Sequence, residues 1–173
     1  MGREGFYLEL LGREVRSLTR LIRVLQATRK EFDEEIRRIG EKDEEVQRLR
    51  TFPGIDYVTA STLLGEIGNI ERFENESCLS SYCGVSPVVW QSGTSKIKAK
   101  RRKRFSRRLK GVLYFISLSQ IRINPESRQY YWRKRREGKT HWQAMNALSR
   151  QLIKIIYYML KNKESYCRKE AVN

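Results

Sequence analysis

An apolar side chain returns at every seventh position from Leu11 through Leu18, Leu25, Phe32 and Ile39 to Val46, and no other feature limits the fold as much. Four residues after each lies a second series, Val15, Ile22, Arg29, Ile36 and Asp43, apolar in three of five cases. Two series interleaved in this way form the seam of a left-handed coiled coil on one long helix. Such a helix leaves its seam wet unless another helix covers it. A second copy of the chain is the economical partner and predicts a homodimer, while folding back onto the chain's own domain is the alternative. Arg29 and Asp43 weaken the seam and suit a role in fixing register.

Thr51-Phe52-Pro53-Gly54 breaks the pattern, because proline removes an amide donor and glycine permits a positive φ. The arm therefore occupies residues 1–50. Beyond it the spacing predicts short helices over 58–67 and 76–82, joined by a Gly68-Asn69 turn. Residues 84–99 read as a loop with a short hairpin. Three further helices are expected at 105–122, 125–137 and 140–163, with Pro125 placed at a helix first turn. Leu109, Val112, Leu113 and Ile116 form the inward stripe of the first, and Trp142, Met145, Leu148, Leu152, Ile155 and Met159 that of the last. The expected fold is all-α: a long N-terminal coiled-coil helix, a compact helical domain over 51–163, and a tail over 164–173.

Charge separates the two parts. Residues 1–50 carry 12 Lys/Arg against 11 Asp/Glu, whereas residues 51–173 carry 24 against 9, nearly the whole net charge of +16. That asymmetry suits a polyanionic partner such as DNA or RNA. Cys78, Cys83 and Cys167 contain no CxxC pair and His141 stands alone, which argues against a disulfide framework or a Cys/His zinc site. The charged N-terminus does not resemble a signal peptide, and LIKIIYYML is far short of the roughly 20 residues of a membrane span. A cytoplasmic, nucleoid-associated setting without a membrane partner is expected.

Three segments are suited to chemistry. Leu49 to Leu64 has the layout of a helix-hairpin-helix, in which the Gly54-Ile55 backbone would offer amides to a phosphate at a helix N-terminus. Asp56 stands where that pattern has a second glycine, and its carboxylate either repels phosphate or caps the next helix. From Lys96 to Lys110, ten of fifteen residues are basic and none is acidic: Lys96, Lys98, Lys100, Arg101, Arg102, Lys103, Arg104, Arg107, Arg108 and Lys110. If about six of them met phosphates, affinity would fall about a thousandfold between low and moderate salt. Between the two lies Trp90-Gln91-Ser92-Gly93, a serine in a tight turn beside the cationic run, which taken alone is an ordinary loop.

The ordered series PGI-x-x-x-TA-x-x-LL-x-E-IG, L-x-x-YCGVSP, QSG, the basic run, NPESRQYY and R-x-x-GK-x-x-x-x-A-x-x-A-x-x-R spans residues 49–161. It resembles the C-terminal transposase domain of the insertion-sequence "one-ten" family, with its one-sixteen and nine-oh-two relatives. The resemblance implies an oligomeric recombinase guided by a structured RNA that pairs with DNA. In such proteins a coiled coil joins this domain to an acidic, metal-binding, RNase-H-like one. It implies a serine nucleophile, best matched by Ser92, with Ser95 and Ser86 as further candidates, and divalent metal in the acidic domain rather than in this chain. Phe105 departs from the family, which has glycine in a Lys-Arg-Gly-Asn-like segment. The acidic half has no counterpart in residues 1–50, whose clusters Asp33-Glu34-Glu35 and Asp43-Glu44-Glu45 fall on the heptad helix. The chain alone is expected to bind but not to recombine. A non-catalytic dimeric helix-hairpin-helix binding module, and a coiled-coil scaffold for an acidic protein, are the alternatives.

Overall fold

The computed structural model describes residues 3–86 and 105–167, and every regular element among them is helical. These are α1 (Arg3–Gly40), α2 (Glu44–Arg50), α3 (Tyr57–Ile67), α4 (Glu76–Tyr82), α5 (Arg107–Ile123), α6 (Pro125–Arg136) and α7 (His141–Asn162), with one 3-10 turn at Ile70–Arg72. The all-α class with a long N-terminal helix is what the periodicity predicts. Of the expected loop and hairpin at 84–99, all but the first three residues lie outside the described part. The chain divides into two compact units, Met1–Ile39 and Gly40–Asn173.

The first unit is α1. Exposed pairs at helical spacing brace it, Arg29–Asp33 at 3.6 Å, Lys30–Glu34 at 3.7 Å and Arg38–Glu35 at 2.8 Å. Each contributes at most a few tenths of a kcal/mol. Its seam residues Leu11, Val15, Leu18, Ile22, Leu25, Phe32 and Ile39 are 54–68% exposed, since one helix cannot cover its own stripe.

The heptad spacing runs on to Val46, but the helix does not. α1 stops at Gly40, and Asp43, read from periodicity as a seam position, is the N-cap of α2. Its Oδ1 accepts hydrogen bonds from the backbone N–H of Glu45 at 2.8 Å and of Val46 at 3.1 Å. Val46 is buried in the core of the second unit. An aspartate cap satisfies otherwise orphaned amides, and here it outweighs the period.

In the second unit α2 to α7 enclose a main core, in which Leu49, Leu63, Leu79, Leu113, Ile116 and Ile156 are fully covered, and a smaller cluster of Tyr131, Ala144 and Met145. Capping fixes where each helix begins. Asn75, Ser106 and Asn124 each accept from an amide of the first turn, Pro125 follows Asn124 as the first helical residue, and Thr140 and Gln143 form a reciprocal box at α7. The inward stripes of α5 and α7 fall where expected with one correction. Trp142 is 62% exposed, and Ala144, Met145, Ala147 and Leu148 cover the core beside it. Trp142 sits in the first turn of α7, where the helix emerges from the packed layer.

No described helix is long and apolar enough to cross a membrane. Cys78 and Cys83 are free thiols, and burial pushes the Cys83 thiol up to about 12, so it remains protonated and unreactive.

Candidate nucleic-acid interface

Two turns position the residues that the sequence singles out. The first is 51–56, between α2 and α3. Gly54 has φ +89°, and a Cβ there would lie 3.1 Å from the Ser119 side chain on α5, so both backbone conformation and close approach require glycine. The buried Gln120 fastens this turn. Its Nε2 donates to the Pro53 carbonyl, while its Oε1 accepts from Asn124 Nδ2 and Ser127 Oγ, both at 3.1 Å. On the other side Phe52 packs edge-on against Tyr166, whose backbone N–H donates to Thr51 Oγ1 at 2.7 Å.

Ile55 is buried, and its amide donates to the Phe52 carbonyl at 3.2 Å. Asp56 caps α3: its Oδ1 accepts from the Thr59 amide at 2.8 Å, and its own N–H donates to Thr59 Oγ1 at 2.8 Å. Of the two roles open to that carboxylate, capping is the one the geometry displays. The amides of Ile55 and Asp56 thus already have protein acceptors.

The second turn lies where the described chain meets on either side of residues 87–104. Ser106 N–H donates to the Tyr82 carbonyl at 2.9 Å. The Ser106 hydroxyl donates to Glu66 Oε2 at 2.8 Å and accepts from the Leu109 amide at 3.2 Å. Arg108 lies 3.4 Å from the other oxygen of Glu66. Phe105 occupies the space that Gly84 leaves open: Gly84 has φ +70°, and a Cβ there would come within 2.6 Å of the Phe105 ring. The bulky residue that departs from the resembled pattern is therefore matched by a glycine across the turn. Lys110 Nζ stands 5.0 Å from the same ring centroid, in cation–π range.

Of the basic run, Arg107, Arg108 and Lys110 fall within the described residues, at the start of α5. Arg107 and Arg108 are exposed and Lys110 is half-buried. Lys96, Lys98, Lys100, Arg101, Arg102, Lys103 and Arg104 lie outside the described residues, as do Ser92 and Ser95. Ser86 is half-buried, next to the Gly84–Phe105 contact.

The field does not depend on that run alone. Residues 107–162 hold 13 Lys/Arg against 2 Asp/Glu. Glu137, one of the two acids, accepts from Lys134 at 2.9 Å and Lys139 at 2.8 Å. Hydrogen bonds from Lys139 and Lys134 hold its carboxyl down to about 2. Arg133, Arg135 and Arg136 in the last turn of α6 are exposed. This second cationic cluster was written in YWRKRREGK, and a charge count restricted to residues 96–110 passes over it. Gln120 was signalled too, as a polar residue one turn after Ile116 on the buried stripe of α5.

The acidic clusters of α1 and α2 are occupied otherwise. Asp33, Glu34 and Glu35 pair along their helix, Asp43 caps α2, and Glu44 faces Arg48 at 4.0 Å. Among the described residues no group of three or more His, Cys, Asp or Glu could hold a metal ion.

Residues 46–132, half of the chain, match the family described as "Transposase IS116/IS110/IS902 family". The chain is 35% identical to the insertion element IS110 uncharacterized 43.6 kDa protein of Streptomyces coelicolor, over 68% of its own length and 29% of that protein. It is 28% identical to the transposase for insertion sequence element IS1111A of Coxiella burnetii, over 95% of its length and 50% of that protein. A pilin gene-inverting protein of Moraxella bovis is 30% identical over 68% of the chain and 37% of that protein. The chain thus spans between about a third and a half of these relatives.

Proposed function

The chain belongs to the IS116/IS110/IS902 transposase family, and from that premise we propose that it is the DNA-engaging part of an insertion-sequence recombinase. The observation that carries this is the overlap of the family match with a strongly cationic folded unit. Residues 46–132 include the Gly54 turn, the Gly84–Phe105 contact and all ten basic residues of the run from Lys96 to Lys110. Phosphates of DNA, and of a guide RNA, are the partners that such a field attracts. Relatives named for transposition and for gene inversion act on DNA by those names, which agrees with the proposal.

In this proposal Ser92 is the nucleophile. Its Oγ attacks a backbone phosphorus, the bond from that phosphorus to one sugar oxygen breaks, the serine proton leaves, and the freed sugar oxygen takes up a proton. The phosphodiester energy is retained in the serine–phosphate bond for religation, as covalent catalysis splits one exchange into two steps. Support comes from the position of Ser92 in Gln91-Ser92-Gly93, between YCGVSP and the basic run. A pair of chains joined through the exposed seam of α1 would bring two such serines to one DNA junction, and the heptad spacing supports that pairing.

The test is a covalent trap on a cognate element end, with the acidic domain supplied in the same reaction. The wild-type chain is expected to give a denaturant-resistant protein–DNA adduct, and Ser92→Ala none. Adducts that persist unchanged in Ser92→Ala would remove Ser92 from the chemistry and leave a nucleic-acid-binding module.

A further inference from the structure

Six aromatic rings run in a continuous arc over the middle of α5, the end of α6 and the start of α7. Phe115 meets Tyr114 at 5.9 Å between centroids, and Tyr114 lies against Trp142 at 5.1 Å with the planes tilted by 32°. His141 stands 5.6 Å from Trp142 and 5.9 Å from Tyr131, and Tyr131 meets Trp132 at 5.4 Å. The inner members are locked in place. Tyr131 is buried with Ala144 and Met145, and its hydroxyl is 2.8 Å from His141 Nδ1, while the Tyr114 hydroxyl is 3.4 Å from Nε2. The outer members are open: Phe115 is 64% exposed, Trp142 62% and Trp132 54%. A rigid base thus presents large aromatic side chains to water, which costs apolar hydration and contributes nothing to the core.

Charge around the arc indicates what covers it. Arg135 and Arg136 follow Trp132 by three and four residues, and so share its side of α6. Glu137, the nearby acid, is already matched by Lys134 and Lys139. Arg135 donates to the Lys139 carbonyl at 3.0 Å, which is no counter-charge, so an apolar protein surface closing over this patch would bury cationic guanidinium without an anion at a heavy cost. A nucleic acid meets both features at once, its phosphates with the arginines and its base faces with the indoles. Paired bases in a duplex are stacked on each other and show only their edges in the grooves, so the faces must come from an unpaired strand.

We propose that Trp132, Trp142 and Phe115 form a stacking platform for the bases of single-stranded nucleic acid, with the arginines at the end of α6 holding its phosphates. This rests on the assignment of a nucleic-acid partner above, and extends it to a site outside the basic run and the Ser92 turn. Stacking tolerates any base, so the platform selects unpaired strands rather than a sequence.

Fluorescence anisotropy of the full chain with labelled oligothymidylate, oligouridylate and a duplex of equal length, each about twenty units long, tests it. Trp132→Ala and Trp142→Ala are each expected to weaken single-strand binding about tenfold, with Trp→Phe at either position keeping most of it. Duplex affinity is expected to change less than about twofold, because phosphate contacts carry it. Loss with thymidylate alone or uridylate alone still supports the platform and identifies the strand. Equal loss on duplex and single strand, or unchanged single-strand binding, overturns it. Loss of self-association in Trp132→Ala with single-strand binding intact would assign the patch to a second copy, and also overturns it. A wild-type chain that binds neither duplex nor single strand would defeat the nucleic-acid assignment itself, a distinct result.

Discussion

Glutamine at Lys96, Lys98, Lys100, Arg101, Arg102, Lys103 and Arg104 together is expected to weaken duplex DNA binding by about a thousandfold or more at moderate salt, with the unfolding temperature unchanged. Each cation that meets a phosphate releases condensed counterion, and that release dominates non-specific affinity. Seven neighbouring cations uninterrupted by acid make this the largest local source of such contacts in the sequence. Arg108 is left intact in the variant because it pairs with Glu66 at the start of α5, so the helix cap and the ion pair survive. The residual binding belongs to the 13 basic residues of 107–162 and keeps a shallower salt dependence. Anisotropy titration of wild type and variant measures this, and a change of less than about threefold would place the interface elsewhere.

Gly84→Ala is expected to destabilise the second unit by about 2–5 kcal/mol, the sum of two separable costs. At φ +70° an L side chain is strained, by about 1–2 kcal/mol. Its Cβ would also lie 2.6 Å from Cγ and 3.0 Å from Cβ of Phe105. Those atoms sit close to the backbone and cannot swing away, so overpacking adds about 1–3 kcal/mol. Phe105→Ala in the same chain should return the second cost but not the first, giving a coupling of about 1–3 kcal/mol in a double-mutant cycle followed by urea unfolding. A loss below about 0.5 kcal/mol for Gly84→Ala would show that the ring does not occupy that space. Because this contact joins the two sides of residues 87–104, the same variant is expected to weaken DNA binding below its unfolding midpoint.

Helix existence was legible because local chemistry and burial agree. Pro125 at the first turn announces α6, and Leu109, Leu113 and Ile116 repeat at helical spacing and are buried. The heptad period carries the arm past its end because Asp43 and Val46 both fit that period, while Asp43 also caps a new helix. Only tertiary burial of Val46 shows which one prevails. Hydrophobicity alone places Trp142 inward, but a tryptophan in a first turn can lie beyond the packed layer, as it does against Tyr114. The position of Asp56 leaves two roles open, repelling phosphate or capping, and the Thr59 partner decides for the cap. Gln120 could not be connected to Pro53 from sequence, since the two lie 67 residues apart and meet only through folding. The compensation of Phe105 by Gly84 is hidden for the same reason.

The most direct test of a phosphate-facing second unit is the salt dependence of wild-type binding to a labelled DNA duplex. With six or more phosphates engaged, the logarithm of the association constant is expected to fall with the logarithm of salt concentration at a slope of about −5 or steeper. A slope between zero and about −1 would mean that the excess of lysine and arginine meets water rather than DNA.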